Sequence, residues 1–224
     1  RELEQLAATL PLPADCELAV LALEPQSGDI LAILGERSPL AHGFNHALDA
    51  RRGLGPLIEP FLHTCAREAH RLPLPDNLPA TGRQIGEEKA LSLLKRFGLS
   101  GPFGSGDDLY RGTLSTTPLE LATAAATLAN HGRRPHTRFI THIEADAQRI
   151  FTGPTEHYPA FSANSCALTE LSPFYHGQSP GKLDFWALSL SRERVIVFWA
   201  GFDQPQAFSL TPDAINIIRQ TLTR

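Results

Sequence analysis

The sequence predicts an α+β fold in which one antiparallel sheet is flanked by helices. Three observations carry that expectation. Strand hairpins lie at both ends of the chain, in "CELAVLALE" with "ILAILG" and in "DFWALSLS" with "RVIVFWAG". Helical patterns fill the middle. No repeat, low-complexity tract or linker interrupts them, so residues 1–224 read as a single domain.

Taken in order, residues 1–9 suit a short helix and residues 16–24 alternate toward a strand. Ser27-Gly28-Asp29 then supplies the positive φ that a hairpin reversal needs before the second strand, "ILAILG". From Pro56 a helical pattern runs through Phe61, Leu62, Cys65 and Ala69. Pro56 is tolerated there because the first N–H groups of a helix have no intrahelical partner, and Pro60 requires the helix proper to begin near Leu57. "LPLPDNLP" breaks that helix, and "GEEKALSLLKRFGL" makes an amphipathic one with Ala90, Leu91, Leu94 and Phe97 on one side. In "TPLELATAAATLANHG", Thr117 is the N-cap, Pro118 the first position, Glu120 the capping-box residue and Gly132 the residue past the end. Beyond it "TRFITHIEA" and "QRIFTG" read as strands and "SANSCALTEL" as a short helix. The second hairpin turns at Arg192-Glu193, and "TPDAINIIRQTLTR" closes the chain as an N-capped amphipathic helix.

Composition excludes several classes. A formal charge of −4 and no basic run longer than Arg51-Arg52 or Arg133-Arg134 leave no face to neutralise nucleic-acid phosphates. Cys16, Cys65 and Cys166 are odd in number and widely spaced, which excludes a disulfide scaffold and any CxxC zinc or redox site. No apolar run is long enough to span a membrane, and the charged "RELEQLAATLPLP" is no signal peptide. Starting at Arg1 and containing no methionine, the chain reads as an excised piece of a longer protein.

The order of segments carries a resemblance. "LAVLALEPQSGDILAILG", "FNHALDARRGLGPLIEPFL", "DNLPATGRQIGEEKALSLLKRFGL", "LYRGTLSTTPLELATAAATLANHG" and "LDFWALSLSRERVIVFWAGFDQ" resemble, in sequence order, the transpeptidase domain of bifunctional penicillin-binding proteins, the class C type most of all. The resemblance spans nearly the whole chain and implies the fold shared with serine β-lactamases. That family carries Ser-x-x-Lys at a helix start, Ser-x-Asn between helices and Lys-Thr-Gly-Thr on a strand; the serine attacks an acyl group and the lysine takes its proton.

Laid on this chain, the first motif falls on Pro56 and Glu59, the second on Pro75-Asp76-Asn77, and the third on Tyr175-His176-Gly177-Gln178. Only Asn77 and Gly177 survive. Pro56 has no hydroxyl, and Glu59 is an anion where the mechanism wants an amine. Removing the nucleophile alone costs on the order of 10^6 in rate in subtilisin, so no catalytic residue is expected at this site. Only 15 residues separate Glu59 from Pro75, far fewer than in the family, which implies a shortened helical lobe.

Plainer readings stand beside sharper ones. Ser92-Leu93-Leu94-Lys95 matches Ser-x-x-Lys and Ser162-Ala163-Asn164 matches Ser-x-Asn, yet Ser92 falls in mid-helix, away from the N–H groups that could serve an oxyanion. Glu59, His63 and His70 recur near helical spacing, and His42 and His46 are four apart; surface or core histidines explain both, and neither metal nor other cofactor is expected. Asn77, Tyr175, His176 and Gln178 are candidate ligand contacts, though Asn77 also suits a cap before Pro79 and Gly177 suits close backbone packing. Trp186, Phe198 and Trp199 suit the core.

The expected role is structural. The resemblance implies a catalytically inactive domain of the periplasm or cell envelope, membrane-anchored through an upstream segment, that holds a glycosyltransferase domain or another cell-envelope protein during peptidoglycan assembly. One alternative is a module that binds peptidoglycan peptide without reacting. Another is an active serine acyltransferase or hydrolase using Ser92 and Lys95.

Overall fold

In the computed structural model, residues 2–37, 44–167 and 171–223 are described. The central sheet is built from β1 (Glu17–Leu23), β2 (Ile30–Leu34), β9 (Phe174–Gln178), β10 (Asp184–Leu190) and β11 (Val195–Gly201). All five pair antiparallel, in the order β2-β1-β11-β10-β9. The two ends of the chain therefore meet in one sheet, with Leu21 opposite Val197 and Trp186 opposite both Trp199 and Gly177. Strands β10 and β11 are buried along their whole length. This is why "VIVFWAG" is a continuous apolar run rather than an alternating one: helices cover both sheet faces.

One face packs Ala19, Leu21, Leu23, Trp186, Val197 and Trp199 against helices α2 (Glu59–Glu68), α4 (Glu87–Arg96) and α6 (Pro118–Ala129). The other packs Leu18, Val20, Phe185 and Phe198 against α1 (Glu2–Thr9) and α7 (Pro212–Leu222). Burying several such side chains stabilises the fold by about 1.5–3 kcal/mol each before entropy is counted. Helix α6 is buried nearly all round. Its alanines let it lie close to β1 and β11, and Thr117 caps it by accepting from the Glu120 N–H at 3.1 Å.

Two short helices go beyond the sequence-based expectation. Helix α3 (Leu78–Ile85) starts in the last two residues of the segment read as a breaker, because Asn77 accepts from the Ala80 N–H at 2.9 Å and Pro79 sits in the first turn, where it has no bond to lose. Helix α5 (Gly106–Tyr110) is too short to leave a periodic signal. The short helix expected in "SANSCALTEL" is not seen in its described part, where residues 163–166 form turns; residues 168–170 lie outside the described residues. Between α6 and β9 stand the pairs β5 (Arg133–Pro135) with β8 (His157–Pro159), and β6 (His142–Ala145) with β7 (Gln148–Thr152).

Candidate functional site

The site lies where the start of α2 meets β9. Strand β3 (Arg52–Gly53) pairs with β4 (Ser115–Thr116), and a 3-10 turn, Gly55–Ile58, then leads into α2. Gly55 has φ 61°, and a β-carbon there would stand 2.8 Å from the Gln178 carbonyl oxygen, so glycine alone permits this approach. Pro56 follows and seats its ring against Gly177 of β9, where any added β-carbon would overlap it. The positions aligned with the first and third motifs are thus neighbours in space. A pyrrolidine ring stands between them, with no hydroxyl to activate and no proton to lose.

Glu59, half-buried, begins a row on α2 that continues through His63 and Arg67 at four-residue spacing. Burial disfavours the charged form of His63 and lowers its pKa; the Glu59 carboxylate opposes that and Arg67 reinforces it. Tyr175 of β9 answers to the same two charges. Burial raises its phenol pKa, the Ser172 N–H donates to its oxygen at 3.0 Å and lowers it, and Glu59 raises it again. Carboxylate, imidazole, guanidinium and phenol together can recognise charge and hydrogen-bonding groups. In the sequence the α2 row shows only as four-residue spacing, which also suits a metal. His70 falls past the helix end at φ 55°, and no group of three metal-ligating side chains exists among the described residues. His42 lies outside them, while His46 stacks on Trp199 and lies 2.8 Å from Asp203 Oδ1.

The candidate ligand contacts do not converge. Tyr175 and Gly177 face the side covered by α2, α4 and α6, whereas His176 faces Phe174 and Phe185 on the opposite sheet face, and Gln178 Nε2 donates to the Phe208 carbonyl there at 2.5 Å. Period-two alternation makes this unavoidable. Asn77 spends its carboxamide oxygen on the α3 cap, and Pro75 is half-buried just before it. A cavity of about 340 Å³ opens beyond the end of β9, lined by Gly53, Phe103, Ser115, Ser179, Leu183 and Asp184. Asp184 is itself occupied, accepting from Ser179 Oγ at 3.0 Å and from the Trp199 indole N–H at 2.9 Å.

Of the two motif look-alikes, Ser162 is engaged in holding the fold together. Its N–H and Oγ donate to Glu68 at 3.1 and 3.0 Å, beside Ser165 Oγ at 2.8 Å. Ser92 and Lys95 are exposed on α4 and line one cavity. No hydrogen bond joins them among the described residues. Ser92 lies inside the helix, where backbone N–H groups are already engaged.

Comparison with known proteins settles the architecture. Penicillin-binding protein 1A from Haemophilus influenzae superposes with a TM-score of 0.80 at 15% identity, covering 92% of this chain and 47% of that one. PonA1 from Mycobacterium tuberculosis gives 0.79 at 15% identity over 94% of this chain and 74% of its own. The fold is that of a penicillin-binding protein transpeptidase domain. Penicillin-binding protein A from M. tuberculosis, solved as an imipenem acyl-enzyme complex, has the same fold with a TM-score of 0.75 at 18% identity. In sequence, penicillin-binding protein 2D of Bacillus subtilis (strain 168) is 20% identical over 90% of the chain, which spans 39% of that relative's length. No family model matches.

Proposed function

We propose that this chain is a catalytically inactive transpeptidase-like domain with a structural or partner-binding role in peptidoglycan assembly. The observation that carries the reading is the contact of Pro56 with Gly177. The fold brings the two motif positions together, but a proline ring occupies the place of a nucleophile and Glu59 the place of the basic partner. Without a hydroxyl no acyl-enzyme forms there, and a carboxylate beside it repels an anionic substrate. The short connection between α2 (Glu59–Glu68) and α3 (Leu78–Ile85) adds support, since the resemblance implies a much longer helical segment there. The site lies in the cell envelope in this reading, anchored through a segment outside this chain. The partner is a glycosyltransferase domain or another envelope protein.

A peptide carrying D-Ala-D-Ala tests the proposal. Turnover of such a peptide or its thioester analogue is expected to stay at the rate without protein, and its NMR titration is expected to leave Tyr175 and Gly177 unshifted. Turnover above that rate would overturn the proposal. Saturable shifts at Tyr175 without turnover would replace the scaffold role by a binding module.

A further inference from the structure

Ser92 and Lys95 are joined by Arg96, by Arg134 of β5 and by Tyr158 of β8 around a cavity of about 350 Å³. We propose that this cavity is a binding site for the phosphate group of a small molecule, independent of the site between α2 and β9. It shares no residue with Pro56, Glu59, Tyr175 or Gly177.

Charge balance within the cavity supports this. Arg96 is neutralised, pairing with Glu68 at 3.0 Å and donating to the Ala160 carbonyl. Arg134 has no carboxylate partner among the described residues. Its Nη1 donates to the Arg96 carbonyl at 3.1 Å, and its guanidinium lies 5.4 Å from the Tyr158 ring centroid. The fork is held by one of its five N–H donors, which leaves the others for a ligand. Lys95 likewise has no carboxylate partner among the described residues; its ammonium meets only the Phe103 ring, 5.9 Å away.

Two cations without an acid, one of them held in place, and a hydroxyl at Ser92 suit a dianionic phosphate better than a carboxylate, which would leave one positive charge unmatched. The cavity volume lies at the lower end of the about 300–1,000 Å³ common for small-molecule sites, so it also admits part of the group that carries the phosphate.

The test is titration of the 224-residue protein with inorganic pyrophosphate at low ionic strength, followed by amide NMR shifts. Saturable shifts at Ser92, Lys95 and Arg134 are expected. Arg134→Gln and Lys95→Gln should each weaken binding by about tenfold, whereas Arg149→Gln, which removes the same charge from the exposed β7, should change it by less than about twofold. Lys95 is exposed on α4, so that variant keeps the fold even if Arg134→Gln does not. Vesicles containing phosphatidic acid, whose phosphomonoester can carry two negative charges, form a second arm. Binding to them that pyrophosphate competes away names a lipid headgroup as the source of the phosphate, and pyrophosphate binding alone names a soluble one; both support the site. No saturation in either arm, or an equal loss in Arg149→Gln, would overturn it.

Discussion

Gly177 has no room for a side chain because the Pro56 ring fills the space. Gly177→Ala should therefore lower stability by about 1–3 kcal/mol, read as a lower urea midpoint at unchanged slope. Adding Pro56→Ala should recover most of that loss, because the two residues meet directly; an additive double variant would deny the contact. Glu68 is a second decisive residue. It accepts from the Ser162 N–H, from Ser162 and Ser165 Oγ and from Arg96. Burial alone would raise its pKa, but these donors outweigh burial and hold it below the ordinary 4.5. A depressed folded-state pKa makes this contribution fully present above the unfolded value and lost as pH falls through the folded one. Glu68→Gln should thus cost about 1–3 kcal/mol near neutrality and flatten the fall of stability below about pH 4.5, measured as melting temperature against pH. A variant that melts in parallel with the parent throughout would deny Glu68 this pH-dependent part in stability. The Gly177 contact was legible as a position of close packing, though not its partner. The Glu68 cluster was not legible, since its serines lie on a distant segment and imitate a catalytic motif.

Among the elements, those with their own local signals were readable. Helix α6 carries N-cap, first-turn proline and capping-box residue in sequence, and Thr117→Ala should cost about 1 kcal/mol in a thermal or urea melt. An unchanged melt would mean that packing of its buried alanines, not the cap, sets where the helix begins. The two hairpins were equally plain, because a turn flanked by apolar runs has few alternatives. Helix α3 was hidden by its own proline, which reads as a breaker until Asn77 is seen to cap the turn. The direction of β9 side chains was the other loss. Four adjacent motif positions look like one site on paper, but alternation sends His176 and Gln178 to the face covered by α1 and α7.

For the whole molecule, the layered architecture was legible because both chain ends supply apolar hairpins that can bury only by sharing a sheet. What the layers position was harder to read, since a fold does not fix a function. Penicillin-binding protein A from M. tuberculosis, which shares this fold, was solved as an imipenem acyl-enzyme complex; in this chain Pro56 stands against Gly177, with Glu59, His63 and Arg67 along the next turns, and the proposed inactivity rests on reading that place as the lost centre. The most telling experiment is the intact mass of the protein after incubation with excess penicillin, beside Ser92→Ala. An unmodified mass is expected for both proteins. A stoichiometric adduct on the parent that vanishes in Ser92→Ala would refute the inactive domain and place the chemistry on α4.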